Sequence, residues 1–323
     1  MSLLEIKNLT VTFRRGKKTT FNAVDGVSLS VGKGETVGLV GESGCGKSTL
    51  GLTSIALEKP TSGNVFFDGR DISQLNGKEL KLFRRRVQMV FQDPFGSLNG
   101  RLSVGAALDE VLKVHGIGTK NERAELIADT LTDVGLDPLY SSRYPHEFSG
   151  GQRQRIGIAR ALILGPELII ADEPVSALDV SVQVQILNLL KDLQEERGLS
   201  YLFIAHDLAV VRYMCTNVYV MYMGEIVEKC NSGRMFTDPA HPYTEALLSA
   251  VPDVRKGIAL RKGETGEQRI VLSGEASPDK NITACSFEPR CKYAGKICRV
   301  SKPQFKEVAE GHSSACHFAG EFN

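Results

Sequence analysis

Gly41-Glu42-Ser43-Gly44-Cys45-Gly46-Lys47-Ser48-Thr49 is the stretch that decides the fold of this chain. It follows the apolar run TVGLV (36–40), which predicts a buried strand, and it leads into a helical pattern that begins at Lys47. A strand, a glycine-rich loop and a helix in this order are what a phosphate-binding loop requires. The backbone N–H groups of such a loop can face phosphate oxygens, and the helix dipole favours anions. A glycine-rich turn without a ligand is the alternative for this pattern alone.

A second motif, LIIADEP (168–174), is an apolar strand that ends in two adjacent carboxylates. Two carboxylates at the end of a buried strand lose hydration, which costs free energy of folding unless they face a cation or a reacting water. With a phosphate loop upstream, Lys47 is predicted to neutralise the β- and γ-phosphates of a nucleotide, and Ser48 to bind Mg²⁺. Asp172 then suits the Mg²⁺ shell and Glu173 the attacking water. An exposed strand end that begins a turn is the other interpretation.

Strands and helices alternate through most of the remaining sequence. Residues 3–13 and 23–31 alternate apolar and polar side chains, which predicts an amino-terminal β layer. A helical pattern from about 77 to 135 is interrupted by the strand-like run VQMVFQ (87–92). After Gly151, helices alternate with short apolar strands. This order implies a mostly parallel sheet and an α/β fold.

Composition limits the classes of function open to the chain. Its 323 residues are 42% hydrophobic and 24% charged, as in an ordinary globular protein. The net charge of +1 lacks the basic excess of a protein whose main partner is nucleic acid. No apolar run is long enough to span a membrane, and the first residues alternate like a strand instead of forming a signal peptide. We therefore expect a protein without a transmembrane segment that stays in the cytoplasm.

A third motif, FSGGQRQR (148–155), lies between the first two and directly precedes a helical run. Ser149 is a suitable N-cap, and the two glycines after it leave the backbone open to a phosphate. An ordinary helix start is the alternative for this motif on its own.

Six ordered motifs resemble those of ATP-binding cassette (ABC) ATPases over about residues 3–252. They are the phosphate loop, Gln92, FSGGQ, the strand that ends in Asp172 and Glu173, SALD (176–179) and His206. The resemblance implies an α/β, P-loop NTPase ABC nucleotide-binding domain over residues 1–252. Such a domain has a RecA-like core, an amino-terminal antiparallel β layer and a helical subdomain, here at about 77–150. A Cys-containing C-terminal extension would follow over 253–323.

The resemblance also implies roles for individual residues. Catalysis is expected from Glu173, His206, Gln92 and Lys47, and Mg²⁺ binding from Ser48, Gln92 and Asp172. Nucleotide contacts are expected from Phe13, Gly41, Ser43, Gly44, Cys45, Gly46, Lys47, Ser48, Thr49, Ser149, Gly150, Gly151, Gln152 and Asp179. Phe21 is an alternative to Phe13 as the aromatic residue that stacks on adenine. An ordinary strand-end amide is the alternative for Gln92, and a buried histidine is the alternative for His206.

Two cassettes of this family enclose two nucleotides head to tail, so Ser149 and the glycines after it would reach the γ-phosphate bound by a partner. One chain alone should therefore hydrolyse ATP slowly. Asp179 is expected to couple the two sites of such a dimer.

Longer stretches resemble the ATP-binding subunits of oligopeptide/dipeptide importers, above all FTDPAHPYTEALLSAVP (236–252). Importers of nickel or glutathione share much of this pattern, and a soluble ABC ATPase that acts on nucleic acid or in iron–sulfur assembly is a further alternative. The resemblance implies a second, unlike ABC ATPase subunit, two membrane permease subunits and an extracytoplasmic solute-binding protein as partners, and no nucleic acid. The chain would then be a peripheral subunit on the cytoplasmic face of the cell membrane.

The last cysteines form the pattern C-x5-C-x6-C-x17-C, made by Cys285, Cys291, Cys298 and Cys316. Four thiolates can hold a [4Fe–4S] cluster or a tetrahedral Zn²⁺, and free thiols are a third reading. The family resemblance favours the iron–sulfur cluster, as a structural element, and Arg290 beside Cys291 fits the family's tail pattern. His312 and His317 are weaker ligand candidates. Ordinary thiols are expected at Cys45, Cys215 and Cys230, although alkylation of Cys45 could affect nucleotide binding.

Overall fold

A computed structural model describes residues 2–15, 19–93, 96, 98–251 and 283–322 of the chain. Its strands are β1 (Ser2–Arg15), β2 (Thr19–Gly32), β3 (Thr36–Val40), β4 (Ser62–Phe67), β5 (Arg70–Asp71), β6 (Val87–Val90), β7 (Leu168–Asp172), β8 (Ser200–Ala205), β9 (Asn217–Tyr222), β10 (Glu225–Asn231), β11 (Lys306–Ala309) and β12 (His312–Ser314). Its helices are α1 (Lys47–Ser54), α2 (Gly77–Arg86), α3 (Val104–His115), α4 (Lys120–Asp133), α5 (Gly150–Leu162), α6 (Val180–Arg197), α7 (Leu208–Met214), α8 (Ser232–Thr237), α9 (Pro242–Ser249) and α10 (Lys296–Val300).

The strands form two sheets. The smaller is antiparallel, in the order β2-β1-β4-β5. The larger has the order β11-β12-β10-β9-β3-β8-β7-β6, and the strands from β9 to β6 are parallel. The predicted amino-terminal antiparallel layer and mostly parallel sheet are therefore confirmed.

The central strands are buried on both faces, which explains their nearly continuous apolar sequences. In β8, Leu202 and Ile204 point into the core shared with the antiparallel layer, whereas Tyr201 and Phe203 point into the core on the opposite face. A strand with one solvent-facing side would carry polar residues at alternate positions. The run SYLFIA carries nearly none, because helices cover the second face of the sheet.

The predicted helical region divides between the two cores. Phe83 of α2 packs against Phe67 of the antiparallel layer, with ring centroids 5.5 Å apart. Helices α3 and α4 instead pack on α5, through buried residues such as Leu108 and Leu131. The predicted helical subdomain of about 77–150 thus begins with a helix that packs elsewhere.

The described part of the C-terminal extension adds strands to the main sheet. Strand β12 pairs with β10 through Glu228 opposite Ser314, and β11 forms a hairpin with β12. Phe287 of the extension lies in the same core as the helices. Within the described residues, no helix is both long enough and apolar enough to cross a membrane.

Candidate functional site

The phosphate loop connects the end of β3 to the start of α1, as predicted. Gly46 directly precedes α1 and has a φ of +111°. A Cβ at this position would lie 2.0 Å from the carbonyl oxygen of Ala23, so only glycine fits between the loop and β2. Gly41, Ser43, Gly44 and Cys45 complete the loop, and Thr49 lies in the first turn of α1.

Lys47 is folded against the loop that precedes it. Its Nζ donates hydrogen bonds to the carbonyl oxygens of Gly41 (2.8 Å) and Glu42 (2.9 Å), and the side chain is buried. The Sγ of Cys45 lies 3.8 Å from the same Nζ. Burial raises the pKa of the Cys45 thiol, although Lys47 opposes the shift. The Cys45 side chain is buried, which argues against ready alkylation.

Ser48, in the first turn of α1, meets Asp172, the last residue of β7. The Ser48 hydroxyl donates to Oδ1 of Asp172 across 3.2 Å. Burial raises the pKa of Asp172, and the charge of Glu173 adds to this, while the Ser48 hydrogen bond lowers it. A hydroxyl and a carboxylate are hard oxygen ligands of the kind that Mg²⁺ prefers, so this pair fits the ion.

Glu173 follows Asp172 in a strained backbone conformation, with a φ of +47°. Its N–H donates to the carbonyl oxygen of Ile204 (2.9 Å) on β8, which holds the turn against the sheet. The Glu173 side chain is 11% exposed, and its Oε2 accepts a hydrogen bond from Nε2 of Gln92 (3.0 Å). Nδ1 of His206 lies 3.0 Å from the same oxygen. The structure thus brings three of the predicted catalytic side chains together at one carboxylate.

The FSGGQ motif caps helix α5. The hydroxyl of Ser149 accepts from the N–H of Gln152, and Oε1 of Gln152 accepts from the N–H of Ser149, which forms a capping box. A Cβ on Gly151 would lie 2.5 Å from Val182 of α6, so the glycine allows the two helices to approach. Asp179 is exposed directly before α6. Within the described part of the chain, no hydrogen bond joins Ser149 to the phosphate loop.

The two aromatic candidates for adenine stacking are neighbours. Phe13 pairs with Phe21 across β1 and β2, and their ring centroids are 6.0 Å apart. Both rings therefore lie on the same pair of antiparallel strands.

The four C-terminal cysteines line one cavity together with His317 and Tyr293. Burial raises the pKa of Cys285 and of Cys316 to about 11 and also raises the pKa of Cys291. His312 lies elsewhere, with Nε2 2.7 Å from Oε1 of Glu228. Nε2 of His317 lies 2.9 Å from the carbonyl oxygen of Ser301.

Two contacts of the phosphate loop with distant segments are not predicted by the sequence. Arg290 of the extension forms an ion pair with Glu42, although 248 positions separate them. Tyr243, in the segment HPYTEALL, accepts a hydrogen bond from the N–H of Glu42 (2.8 Å). No spacing or periodicity links such distant positions.

Comparisons with known proteins place this geometry in a family. Residues 24–176 match the family described as "ABC transporter", and residues 227–298 match "Oligopeptide/dipeptide transporter, C-terminal region". The oligopeptide transport ATP-binding protein AppF of Bacillus subtilis (strain 168) is 54% identical over 91% of this chain and 89% of its own length. The chain belongs to the ABC transporter family.

Solved structures of other ABC cassettes agree with this assignment. The ATP-binding cassette MJ0796, described as a dimer in a post-hydrolysis state with ADP and Pi, is 32% identical, with a TM-score of 0.65. The alignment covers 71% of this chain and 98% of the MJ0796 chain. The cassette cbiO1 of Clostridium perfringens, part of the ABC transporter complex cbiONQ, is 28% identical over 73% of this chain and 91% of its own, also with a TM-score of 0.65.

Proposed function

We propose that this ABC cassette binds Mg²⁺–ATP, hydrolyses it to ADP and phosphate, and thereby energises a membrane importer of oligopeptides or dipeptides. The observation that carries the ATPase part is the position of Glu173, which contacts Gln92 and His206 next to the Ser48–Asp172 pair. The peptide part is supported by the match to the oligopeptide/dipeptide C-terminal region and by the name of AppF. Neither of these two comparisons favours an importer of nickel or glutathione, or a soluble ATPase that acts on nucleic acid or in iron–sulfur assembly.

The residues divide the chemistry of phosphoryl transfer among them. Ser48 and Asp172 would hold Mg²⁺, which would supply positive charge to the phosphates, and Lys47 would neutralise charge on the β- and γ-phosphates. Glu173 accepts a proton from the attacking water and directs it at the γ-phosphorus. His206 and Gln92 hold the Glu173 carboxylate in place, and His206 would also face the γ-phosphate of a bound nucleotide.

A second cassette completes each site in this proposal. Ser149, Gly150, Gly151 and Gln152 lie at the start of α5, where a helix N-terminus can face a phosphate of a partner. The exposed Asp179 and the exposed side chain of Val180 lie at the start of the adjacent helix. We infer an unlike cassette as the partner, together with two permease subunits, a solute-binding protein and a peripheral place on the cytoplasmic face of the membrane.

For the extension, we infer that Cys285, Cys291, Cys298 and Cys316 hold a [4Fe–4S] cluster. A tetrahedral zinc site, with Zn–S near 2.3 Å, keeps its sulfurs within about 4 Å of one another. Among the described residues, the one group of three metal-binding side chains with ligand atoms within 4.8 Å of one another is Glu228, Cys230 and His312. No three of the four cavity thiols belong to such a group, and the preference for a cluster over a single zinc ion rests on the family resemblance. A cluster there would act as a structural cross-link.

The importer proposal is tested by affinity purification of the chain from its native membranes, with mass spectrometry of the attached proteins. Two permease subunits, an unlike cassette and a trapped peptide are the expected result. A soluble assembly without permease subunits would refute the importer and leave the ATPase standing. Anaerobic purification tests the cluster separately, since about four irons and four sulfides per chain are expected. Stoichiometric zinc without iron would refute the cluster.

A further inference from the structure

Arg290 and Glu42 form a two-point ion pair between the C-terminal extension and the phosphate loop. Nη1 of Arg290 lies 2.7 Å from Oε2 of Glu42, and Nη2 lies 2.9 Å from Oε1. The Arg290 side chain is only 9% exposed, and that of Glu42 is 33% exposed. Parallel N–H···O bonds of this kind combine charge with a fixed geometry, and they are stronger than a single hydrogen bond between neutral groups.

Glu42 is also bound to the loop through its backbone. Its carbonyl oxygen accepts from Nζ of Lys47 (2.9 Å) and from the N–H of Cys45 (3.3 Å). Its N–H donates to the hydroxyl of Tyr243 (2.8 Å). The residue whose side chain pairs with Arg290 thus also supplies a peptide group that orients the lysine predicted to bind phosphate.

Arg290 is held in place by its own surroundings. It ends the short 3-10 helix Glu288–Arg290, and its guanidinium carbon lies 5.9 Å from the centre of the Tyr222 ring. The ring of Phe287 packs against the rings of Tyr222 (5.2 Å between centroids) and Tyr243 (5.5 Å). Arg290 thus reaches Glu42 from a segment that packs on a cluster of aromatic rings.

We propose that Arg290 is a positioning residue of the ATP site: it holds Glu42, and through Glu42 the phosphate loop, in the conformation that binds Mg²⁺–ATP. The pair also neutralises a carboxylate that stands beside the phosphates. An unpaired Glu42 would repel the polyphosphate, because partly buried charges are weakly screened. The extension thereby contributes to nucleotide affinity. This inference rests on the ATPase activity alone and not on the identity of the transported solute.

Arg290→Gln tests the proposal in the full-length chain. We expect the Kd for Mg²⁺–ATP, measured by calorimetry in a Glu173→Gln background, to rise about tenfold, as for the loss of one charged hydrogen-bonded pair. In the catalytically intact chain, KM for ATP should rise by a similar factor, while kcat at saturating ATP changes by less than about threefold. Arg290→Lys keeps the charge but loses the two-point geometry, so an intermediate rise is expected.

Arg299→Gln is the matched control. Arg299 also neighbours a cavity cysteine and pairs with Glu288 of the same extension (Nε to Oε1, 2.9 Å), but it is 72% exposed and does not touch the loop. Its Kd for Mg²⁺–ATP should stay at the value of the unsubstituted chain. In the double variant Glu42→Gln with Arg290→Gln, removal of the repulsive carboxylate should recover part of the lost affinity.

Three results would overturn the proposal. One is an unchanged Kd in Arg290→Gln with only a lower melting temperature, which would make the pair a structural link. Another is an equal loss of affinity in Arg299→Gln. If Arg290→Gln does not fold, Arg290→Lys becomes the test variant. An unchanged KM for ATP in Arg290→Lys would then be the third result that refutes the positioning role of Arg290. A parent chain that fails to bind ATP at all would instead refute the proposed ATPase.

Discussion

The carboxylate of Glu173 and the imidazole of His206 face each other across the carboxyl ends of β7 and β8, with Oε2 3.0 Å from Nδ1. The strands fix this pair, because Glu173 follows the last residue of β7 and His206 follows the last residue of β8. Neighbouring parallel strands end at the same edge of the sheet, which is where α/β folds bind ligands. The pair therefore lies at the end of the site where we propose that ATP is hydrolysed.

Replacing Glu173 by Gln should lower the turnover of ATP at least ~10²-fold and leave ATP binding intact, because the amide cannot accept the proton of the attacking water. Phosphate release and nucleotide binding are measured on the same preparation. Glu196→Gln, in an exposed position near the end of α6, serves as the control and should not change either quantity. Near-normal turnover in Glu173→Gln would remove Glu173 from its proposed role.

Replacing Gly46 by Ala should abolish ATP binding. A Cβ there would lie 2.0 Å from the Ala23 carbonyl oxygen, so the loop must move away from β2. Gly157→Ala in helix α5 is the control, since a Cβ there would have no atom within 4 Å apart from the neighbouring residues and backbone of its own helix, and alanine is the better helix former by about 1 kcal/mol. Equal ATP affinity in the two variants would contradict the close approach of Gly46 to the Ala23 carbonyl oxygen.

The buried pair of Glu228 and His312 should contribute strongly to stability. Their side chains are 0% and 2% exposed. Removing the imidazole takes one of two donors from Oε1 of the buried Glu228 carboxylate and leaves the N–H of Ala240 (2.7 Å), so His312→Ala is expected to destabilise the fold by about 3–5 kcal/mol in urea unfolding. Lys113→Gln, which breaks an exposed pair with Asp109 on α3, should change stability by less than about 1 kcal/mol. Similar losses for the two variants would refute this ranking.

Acid should destabilise the fold through His241. Complete burial lowers the pKa of His241 to about 3 from an ordinary 6.5. Below pH 6.5 the unfolded chain therefore binds a proton that the folded chain does not, and stability falls by about 1.4 kcal/mol per pH unit from this group until the folded pKa is reached. Above pH 6.5 the full contribution is present.

His241→Asn should flatten this part of the pH dependence while it keeps an acceptor for the N–H of Tyr243, which His241 caps at 3.0 Å. Thermal melting between pH 7 and pH 5 provides the measurement. His146→Asn changes an exposed histidine and should follow the curve of the unsubstituted chain. An unchanged slope in His241→Asn would show that other groups carry the acid sensitivity.

Local patterns in the sequence predict much of the fold and of the ATP site, because a strand, a glycine-rich loop and a helix are read from consecutive residues. The runs TVGLV and SYLFIA predict buried parallel strands, and both lie beside each other at the centre of the sheet. Strand β4 is not predicted, since SGNVFF has only a short apolar part and its register is set by β1. Periodicity also predicts that α2 is a helix but not which core Phe83 enters.

Contacts between distant segments account for the rest. The strand β12 has the sequence HSS, which has no strand signal of its own and exists because β10 offers open hydrogen-bonding groups. The Arg290–Glu42 pair depends on the same docking. Both follow from where the extension folds back, which is a property of the tertiary structure.

The hairpin of β11 and β12 has a consequence for shortened forms of the chain. It covers the outer edge of β10 and places His312 against the buried carboxylate of Glu228. A truncation before residue 283 would leave the outer edge of β10 without a partner strand. The unpaired N–H and C=O groups of an exposed edge can form hydrogen bonds with strands of other molecules. We expect the truncated protein to aggregate through intermolecular β pairing. The C-terminal hairpin would then have a second role, since it protects the edge of the sheet from pairing with other molecules.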